Sequence, residues 1–328
     1  MGEIMRVVIT GAAGFIGSRF AELLLGDAER LGYDEVVVLD ALTYSGRLEN
    51  LEAVLADPRA RLVHGSITDP AAVDQALGGA HAVVHLAAES HVDRSIASAT
   101  PFFETNVLGT QQLLEGARRA GVARFVHVST DEVYGSIPQG SWREDHILEP
   151  SSPYSSSKAA SDLAALAYHQ TYGLAVMVTR CSNNYGPRQF PEKVIPLFVT
   201  NLADAQPVPL YGDGGNVRDW LHVDDHCRGL LAVLERGRAG EIYNIGGGTE
   251  LTNRELTTKL LALCGADESM VVPVTDRLGH DRRYSVDWSK IRDELGYAPQ
   301  VPFAEGLAAT VAWYHDHEAW WRPLKVAR

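Results

Sequence analysis

The stretch TGAAGFIG, residues 10–17, decides the fold of this chain. It follows the apolar run RVVIT and opens a helical pattern that continues to Leu31. Glycines at Gly11, Gly14 and Gly17 would allow a tight turn, let the backbone approach a pyrophosphate and direct the first amides of the helix towards it. By itself, a glycine-rich turn is also compatible with a plain connection between a strand and a helix.

The end of the next apolar run, EVVVLD, favours binding of a dinucleotide. Asp40 closes that run about 20 residues after the glycine turn, where an acid accepts the 2′-hydroxyl of an adenosine ribose. An acid at this place repels a 2′-phosphate, so the pattern predicts NAD rather than NADP. The alternative interpretation of Asp40 is an ordinary turn or cap residue.

Further apolar runs predict a parallel sheet. They are RLVHG, AVVHLA, RFVHVS and AVMVTR, and helical patterns at Pro101–Ala120 and Tyr154–Tyr172 lie between them. Near-continuous apolar strands joined by helices are typical of a sheet that is buried on both faces, with right-handed crossovers. We therefore expect an α/β fold, a Rossmann-type doubly wound parallel sheet with a smaller mixed α/β substrate-binding domain.

The pattern of alternating apolar runs and helical segments ends after NNYGPRQ. Turn signals multiply in YGDGGNVRDW and NIGGG, and a helical pattern at Asn253–Cys264 lies among the segments that follow. We expect an NAD-binding domain of residues 1–185, rejoined by about 217–250, and a second domain of residues 186–216 and 251–328. Ligands are expected in the cleft between the domains and at the carboxyl ends of the strands.

Composition excludes several classes of function. The net charge of −13 over 328 residues disfavours nucleic acid as a partner. The apolar runs are too short to span a membrane, and a strand that begins at Arg6 leaves no room for a signal peptide. Three widely spaced cysteines, Cys181, Cys227 and Cys264, argue against a disulfide framework or a cysteine-based zinc site. We expect a cytoplasmic protein.

The segment HVDDH superficially suggests a metal site. His222 and His226 are four residues apart with carboxylates between them, but a third ligand is not identified. We expect Asp224 to be a helix-start residue and the protein to bind no metal.

The segment PYSSSKAASD contains a Tyr-x-x-x-Lys pair at the head of a helical pattern. Tyr154 and Lys158 are four residues apart and would share one face of the helix. A free tyrosine has a pKa of about 10, and an adjacent ammonium together with the positive nicotinamide ring would lower it. We expect a catalytic pair; an exposed helix face is the alternative.

The segment STDEVYG, residues 129–135, places two carboxylates after a buried strand. Adjacent carboxyls tend to separate their pKa values, which suits one proton donor beside one proton acceptor. Consecutive side chains on a regular strand point to opposite faces. Asp131 and Glu132 can therefore reach one substrate only if the backbone leaves strand geometry at Asp131. The alternative is a solvated turn.

These segments converge on one family. TGAAGFIG, HLAAESHVDRS, STDEVYG, YSSSKAASD and RCSNNYGPRQFPEKVIPL, followed by RDWLHVDDH, YNIGGG and DRLGHDRRYS, resemble the extended short-chain dehydrogenases. Among these the sequence is most similar to the dTDP-glucose 4,6-dehydratases, and the resemblance covers nearly the whole chain. Related epimerases and decarboxylases lack the consecutive Asp-Glu after Thr.

The resemblance implies a lyase that converts dTDP-glucose to dTDP-4-keto-6-deoxyglucose and keeps its NAD tightly bound. The steps are oxidation at C4, loss of water across C5 and C6, and return of the hydride to C6. By the same resemblance, Tyr154 takes the C4 hydroxyl proton with Lys158 beside it, and Thr130 holds the C4 oxygen. Glu132 takes the C5 proton, and Asp131 protonates the departing C6 hydroxyl.

The resemblance also assigns binding residues. Those for the cofactor are Gly11, Gly14, Phe15, Ile16, Gly17, Asp40, Thr43, Ser66, Ile67, Leu86, Ala87, Ala88, Thr105, Tyr154, Lys158 and Asn184. Those for the nucleotide sugar are Ser90, Thr130, Asn183, Lys193, Pro209, Tyr211, Arg218, Asn253, Arg277 and His280. Two positions depart from the family pattern. Ser66 stands where an Asp usually lies beside the adenine, and Leu278 replaces a proline in the nucleotide loop.

Family members are homodimers joined by a four-helix bundle, so we expect Pro101–Ala120 and Tyr154–Tyr172 to form such an interface. Three alternatives to the main interpretation stay open. The same reaction could use UDP-glucose, because thymine and uracil differ by one methyl group. A nucleotide-sugar 4-epimerase would leave Asp131 and Glu132 without a role. A non-catalytic NAD- or sugar-binding regulator would not be expected to keep the whole catalytic set.

Overall fold

The computed structural model describes residues 4–326. Its strands are β1 Arg6–Thr10, β2 Glu35–Asp40, β3 Ala60–His64, β4 Ala82–His85, β5 Arg124–Thr130, β6 Val176–Cys181, β7 Asn183–Tyr185, β8 Val208–Tyr211, β9 Val217–His222, β10 Ile242–Ile245, β11 Glu250–Thr252 and β12 Val271–Val274. Its α-helices are α1 Phe15–Leu31, α2 Glu52–Leu55, α3 Pro70–Leu77, α4 Val92–Ala97, α5 Thr100–Phe103, α6 Thr110–Ala120, α7 Pro153–Tyr172, α8 Val194–Ala203, α9 Val223–Arg236, α10 Asn253–Leu263, α11 Ser289–Leu295, α12 Phe303–Asp316 and α13 Glu318–Val326. Short 3₁₀ turns span Leu48–Leu51, Asp131–Tyr134 and Glu268–Met270.

The central sheet is parallel and has the order β3-β2-β1-β4-β5-β6-β10. The chain leaves β1 towards β2 and β3 and then returns to place β4 on the other side of β1. This reversal creates a switch point between β1 and β4, where the crevice at the strand ends binds ligands in such folds. The predicted α/β fold with a doubly wound parallel sheet is confirmed.

One apolar cluster covers each face of this sheet, which explains why the strands are apolar throughout. On one face, Val7, Ile9 and Val126 pack with residues of α1 and α9. On the other face, Val8 and Phe125 pack with residues of α3, α6 and α7.

The pattern at Pro101–Ala120 predicts one helix, but the structure divides it. A π-helical segment, Glu104–Gly109, separates α5 from α6. Within it the buried Asn106 accepts from the backbone N–H of Glu89 and donates to the carbonyl of the same residue and to Ser157 Oγ. The widened turn thus ties the loop after β4 to α7, and such interruptions are frequent at functional sites.

The second half of the chain adds two smaller sheets, β11-β9-β7 and β12-β8. A separate apolar cluster fills the space between them and α8, α10 and α12, and it includes the buried Trp321. The predicted helix at Asn253–Cys264 is α10. We propose two lobes with the boundaries expected from the sequence, because β10 rejoins the central sheet while α8, β8, α10 and β12 share this cluster. The outermost positions, 1–3 and 327–328, lie outside the described residues.

None of the helices within the described residues could cross a bilayer, because none combines the necessary length with the necessary apolar character.

Candidate active site

The glycine turn lies against the loop that follows β4, at the switch point. Gly11 has φ +71°, and a Cβ on it would lie 2.6 Å from the backbone nitrogen of Ala87. Gly14 caps α1 without a side-chain hydrogen bond, and the first turn of α1 carries no acidic residue. The first amides of α1 therefore stay available to an anion, which the positive end of the helix dipole also favours.

Asp40 connects the glycine turn to the loop after β2. Its carboxylate accepts from the backbone N–H of Ala13 at 2.8 Å and from that of Leu42 at 2.8 Å. The side chain is buried, and burial raises its pKa above the ordinary value. Asp40 is thus both a structural bridge and a lining residue of the cavity beside it, where its other lone pairs can accept from a ribose hydroxyl.

That first cavity, of about 330 Å³, runs along the carboxyl ends of β1, β2, β4 and β5. Every residue predicted to bind the cofactor lines it, including Ser66 and Thr43. Ser66 Oγ already bonds the hydroxyl of Thr68 and accepts from the N–H of that residue. Asn184 lines the cavity with a buried Oδ1 that has no partner. The uncapped helix, the close glycine turn and this free oxygen fit a dinucleotide; the assignment of each residue stays a prediction.

The two carboxylates of STDEVYG share this cavity because the backbone turns between them. Strand β5 ends at Thr130, and Asp131 begins the 3₁₀ turn Asp131–Tyr134. Thr130 caps that turn, since its Oγ1 accepts from the N–H of Glu132 at 3.3 Å. Asp131 and Glu132 both line the cavity, so the predicted departure from strand geometry is observed.

The two carboxylates have different charged neighbours. Burial raises the pKa of Asp131 well above its usual value, and the neighbouring charge of Glu132 raises it further. Burial raises the pKa of Glu132 as well, but the cations of Arg277, Lys193 and Arg218 oppose the rise. The proton of the pair is therefore held on Asp131, and Glu132 is the carboxylate that ionises first.

Tyr154 and Lys158 lie in the first turns of α7. That helix begins with a capping box between Ser152 and Ser155, and Ser95 Oγ accepts from the N–H of Tyr154 at 3.2 Å. This start fixes the tyrosine at the cavity wall, beside the carboxylates.

The pKa of Tyr154 differs from the expectation. Burial raises it well above the ordinary value, the charge of Glu132 adds to the rise, and Thr130 opposes it. The ammonium of Lys158 donates to the carbonyl of Val128 at 2.8 Å. In the chain alone the pKa of Tyr154 is therefore shifted upwards overall, opposite to the lowering expected for the complete site.

A second cavity, of about 480 Å³, lies beside the first and is lined by residues of α8, β8, β9 and α10, among others. Glu132, Asn183, Asn184, Gln189, Glu192 and Lys193 line both cavities. The predicted substrate residues divide between the two. Ser90 and Thr130 line the first cavity, Asn183 and Lys193 line both, and Pro209, Tyr211, Arg218, Asn253, Arg277 and His280 line the second.

The arginines of the second cavity suit a diphosphate. Arg218 is buried, stacks over Tyr284 at 4.1 Å and donates to the carbonyl of Asp281 at 2.9 Å. Arg277 Nη1 lies 3.7 Å from Asp93 Oδ1, and the other oxygen of that carboxylate, Oδ2, accepts from Tyr211 Oη at 3.1 Å. Guanidinium forks held in this way match the geometry of phosphate oxygens.

The loop that carries Arg277 and His280 is held in place without the proline that Leu278 replaces. The side chain of Leu278 is 77% exposed. His280 Nδ1 lies 2.5 Å from Asp276 Oδ1, and Ser151 Oγ donates to the carbonyl of Gly279 at 3.2 Å.

The histidines of HVDDH serve the fold. His222 caps α9 by accepting from the N–H of Asp224, which lies in the first turn and pairs with Arg19 at 2.7 Å. His226 is fully buried, and burial lowers its pKa to about 3. Within residues 4–326, no group of three or more His, Cys, Asp or Glu side chains is placed to hold a metal ion. The structure has Cys181, Cys227 and Cys264 as free thiols.

Sequence reasoning missed several lining residues. Glu192 has a side chain only 7% exposed and contacts Tyr44 and Arg94. It directly precedes the predicted Lys193, so the quoted motif FPEK contained the signal. Cys181 and Ser129 line the first cavity beside Tyr154, and only their positions at the ends of β6 and β5 could have indicated this.

Comparison with known proteins places the chain in a family. Residues 8–310 match the family model described as GDP-mannose 4,6 dehydratase. The dTDP-glucose 4,6-dehydratase of Streptomyces antibioticus is 60% identical over 98% of this chain and 96% of its own length. DesIV, a dTDP-glucose 4,6-dehydratase from Streptomyces venezuelae solved with NAD and TYD bound, is 64% identical with a TM-score of 0.96, covering 98% of this chain and 100% of its own.

More distant enzymes share the fold. The UDP-glucose 4-epimerase of Thermus thermophilus, solved in complex with NAD, is 34% identical with a TM-score of 0.87, over 95% of this chain and 100% of its own. The much higher identity to the dehydratases agrees with the consecutive carboxylates at the cavity. The chain therefore belongs to the dTDP-glucose 4,6-dehydratase family, within the larger group that the GDP-mannose 4,6 dehydratase model describes.

Proposed function

We propose that the protein is a lyase that converts dTDP-glucose to dTDP-4-keto-6-deoxyglucose with bound NAD. One observation carries the proposal. Asp131 and Glu132 leave the strand at a turn, line the same cavity beside Tyr154 and hold their protons with different strength. Loss of water across two adjacent carbons needs one such acid and one such base.

The cofactor fits the first cavity, because the uncapped start of α1 and Asp40 match the pyrophosphate and the adenosine ribose. When bound, NAD supplies a hydride acceptor for C4 and later a hydride donor for C6. The ammonium of Lys158 donates to the carbonyl of Val128. It places a positive charge one helical turn along α7 from Tyr154, the proposed base.

The residues of this chain divide the proton transfers. Tyr154 takes the proton of the C4 hydroxyl while Thr130 holds the C4 oxygen. The resulting C4 ketone acidifies the C5–H bond, and Glu132, the carboxylate that ionises first, removes that proton. Asp131, which holds its proton, donates it to the departing C6 hydroxyl. Oxidation and reduction cancel over the cycle, so the cofactor need not leave.

The second cavity is proposed to hold the nucleoside diphosphate. Arg218 and Arg277 offset the overall negative charge of the chain locally, and Lys193 lies where the two cavities meet. The sugar would then extend from these cations towards Glu132, which lines both cavities.

We also propose a cytoplasmic homodimer that binds no nucleic acid and no membrane. Exposed apolar side chains on the π-helical segment and α7 support the dimer, since Leu108 is 62% exposed and Leu163 is 60% exposed. Helices α6 and α7 lie side by side, with Gln111 Nε2 donating to Tyr168 Oη at 3.0 Å. Three free thiols and a net charge of −13 agree with a reducing compartment and the absence of nucleic acid.

The alternatives are less well supported. A 4-epimerase has no use for the Asp131–Glu132 pair, and the solved epimerase is only 34% identical. The UDP-glucose substrate would preserve every step, but relatives near 60% identity carry the dTDP-glucose name.

Incubation of the purified protein with dTDP-glucose and, separately, with UDP-glucose tests the proposal, with product mass as the readout and no NAD added. Loss of one water from dTDP-glucose is the expected result. Reaction of UDP-glucose alone would overturn the choice of nucleotide. Unchanged mass with both substrates, also after NAD is added, would overturn the dehydratase.

A further inference from the structure

A strap, residues 188–193, passes beside both cavities and is anchored at both ends. Arg188 has φ +66° and lies 2.6 Å from Glu22 of α1 through its Nη2. At the other end, Lys193 Nζ donates to the carbonyl of Ser90, in the loop after β4, at 2.6 Å. The strap therefore connects α1 to the loop after β4, and Ser90 of that loop lines the first cavity.

Glu192 joins the strap to two other loops. Its Oε1 accepts from Tyr44 Oη at 2.9 Å, and its Oε2 accepts from Arg94 Nε at 3.1 Å. The Arg94 guanidinium lies over the Tyr44 ring at 4.0 Å, and Phe190 meets the same ring edge-on at 5.3 Å. We name Tyr44, Arg94 and Glu192 the clasp.

Sheet topology indicates where the clasp lies. Tyr44 follows β2, and Arg94 belongs to α4, after β4. Strand β1 lies between β2 and β4 in the sheet. A contact between the loops that follow β2 and β4 must therefore bridge the glycine turn after β1. The neighbours Thr43 and Ser45 line the first cavity, as does Glu192 itself. The clasp thus spans the stretch of cavity that faces the glycine turn.

We propose that the clasp retains the dinucleotide in its cavity, so that Tyr44, Arg94 and Glu192 are positioning residues for the cofactor. This inference rests on the proposed function, since it takes NAD as the occupant of the first cavity. Release of a molecule that reaches from Asp40 to Lys158 requires the loops after β2 and β4 to separate. Separation breaks the contacts of both loops with Glu192.

The contacts suit a barrier to release better than a role in the chemistry. Arg94 is half exposed, and an ion pair of this kind contributes little alone. The hydroxyl of Tyr44 adds a charge-assisted bond to a carboxylate that is only 7% exposed. The ring of Tyr44 lies outside both cavity linings, so its hydroxyl can be removed without touching substrate or cofactor.

The test measures release of NAD rather than turnover. The purified holoenzyme is diluted, sampled through a desalting column over time and assayed for the NAD that remains on the protein. Tyr44→Phe keeps the ring against Phe190 and removes one hydrogen bond, while Glu192→Gln keeps the size of the side chain and removes its charge. Glu318→Gln, which breaks the exposed pair with Arg322, serves as the matched control.

We expect both clasp variants to release NAD about tenfold faster than the unaltered protein, equivalent to about 1.4 kcal/mol in the barrier. The double variant should add little to either single variant, because both remove one shared contact. Added NAD should restore the initial rate of Tyr44→Phe. The control should release NAD at the unaltered rate.

Two results would overturn the proposal. Release rates of both clasp variants within twofold of the unaltered protein would show that the clasp does not hold the cofactor. Loss of activity in Tyr44→Phe that added NAD does not restore would place Tyr44 in the chemistry instead. If the unaltered protein neither carries nor binds NAD, the proposed function fails first, and this outcome is distinct because it appears before any variant is made.

Discussion

Asp162 and Arg180 form a buried ion pair, with 2.9 Å between Arg180 Nε and Asp162 Oδ2. Asp162 lies on α7, one turn beyond Lys158, and Arg180 lies on β6. Arg180 also donates to Tyr134 Oη at 2.8 Å, in the turn that carries Asp131 and Glu132. The pair therefore ties the helix of the proposed tyrosine base to the turn of the proposed acid and base.

Removing the negative member of this pair should destabilise the fold. Asp162→Asn leaves the charge of Arg180 buried without its partner, and such a change typically costs about 3–5 kcal/mol. Unfolding in urea should show a loss of this size. Glu318→Gln, at an exposed pair, should change the free energy of unfolding by less than about 0.5 kcal/mol. A loss below about 1 kcal/mol in Asp162→Asn would contradict the structural role assigned to the pair.

Glu132→Gln should separate a dehydratase from an epimerase or a simple binder. The amide cannot take the C5 proton, so the rate of water loss should fall by about 10²–10⁴-fold. Binding of the nucleotide sugar should remain, because Arg218 and Arg277 are unchanged. Turnover followed by product mass, with Glu49→Gln at the exposed pair with Arg47 as control, checks this. Full turnover in Glu132→Gln would remove the residue from the mechanism.

Asp131→Asn should make the protein more stable at neutral pH while it impairs the reaction. The folded-state pKa of Asp131 is raised, so the folded state binds more protons than the unfolded state between the two pKa values. Stability from this group is therefore lost as pH rises from about 4 through the folded pKa, at about 1.4 kcal/mol for each pH unit that separates the two pKa values. The free energy of unfolding of Asp131→Asn does not include this loss, because asparagine does not ionise.

Urea unfolding of Asp131→Asn and of the unaltered protein, measured from about pH 4 to about pH 8, tests this prediction. Carboxyl groups with raised pKa values ionise over about this pH range. The stability advantage of the variant should grow as pH rises. An advantage that is constant with pH would mean that the carboxyl of Asp131 does not titrate in this range.

Leu108→Glu and Leu163→Glu should dissociate the proposed dimer. Both side chains are exposed on neighbouring helical segments, and a buried carboxylate at an interface is costly. Light scattering should show a dimer for the unaltered protein and a monomer for either variant. Ile147→Glu, at a loop side chain that is 71% exposed, should leave the dimer intact. A monomeric unaltered protein would refute the proposed assembly.

Much of the site could be predicted because its signals are local. The glycine spacing, Asp40 at the end of β2 and the Tyr154–Lys158 spacing each depend on a few consecutive residues. The departure from strand geometry at Asp131 also follows from the side-chain alternation of strands alone. The residues that these local rules indicate all line the first cavity, whereas those of the second cavity were assigned by the family resemblance.

Other features required the tertiary structure. The clasp joins residues 44, 94 and 192, which no periodicity relates. In the π-helical segment, Asn106 forms hydrogen bonds with Glu89 and Ser157, both distant in sequence. The raised pKa of Tyr154 comes from burial, and a residue spacing says nothing about how deeply a side chain is buried.

Gly279→Ala should weaken substrate binding with little effect on the chemistry. Gly279 has φ +62°, and a Cβ there would lie 2.5 Å from the carbonyl oxygen of Ser151, so the loop must move. That loop carries Arg277 and His280, which line the second cavity but not the first. We expect KM for dTDP-glucose to rise about tenfold, equivalent to about 1.4 kcal/mol, with kcat within about threefold.

Gly296→Ala is the matched control, because Gly296 has φ +70° with nothing within 4 Å of its Cβ position. It carries the same backbone strain without the clash, so its KM should not change. Equal effects of the two variants would assign the loss to strain in general and not to the position of the nucleotide loop.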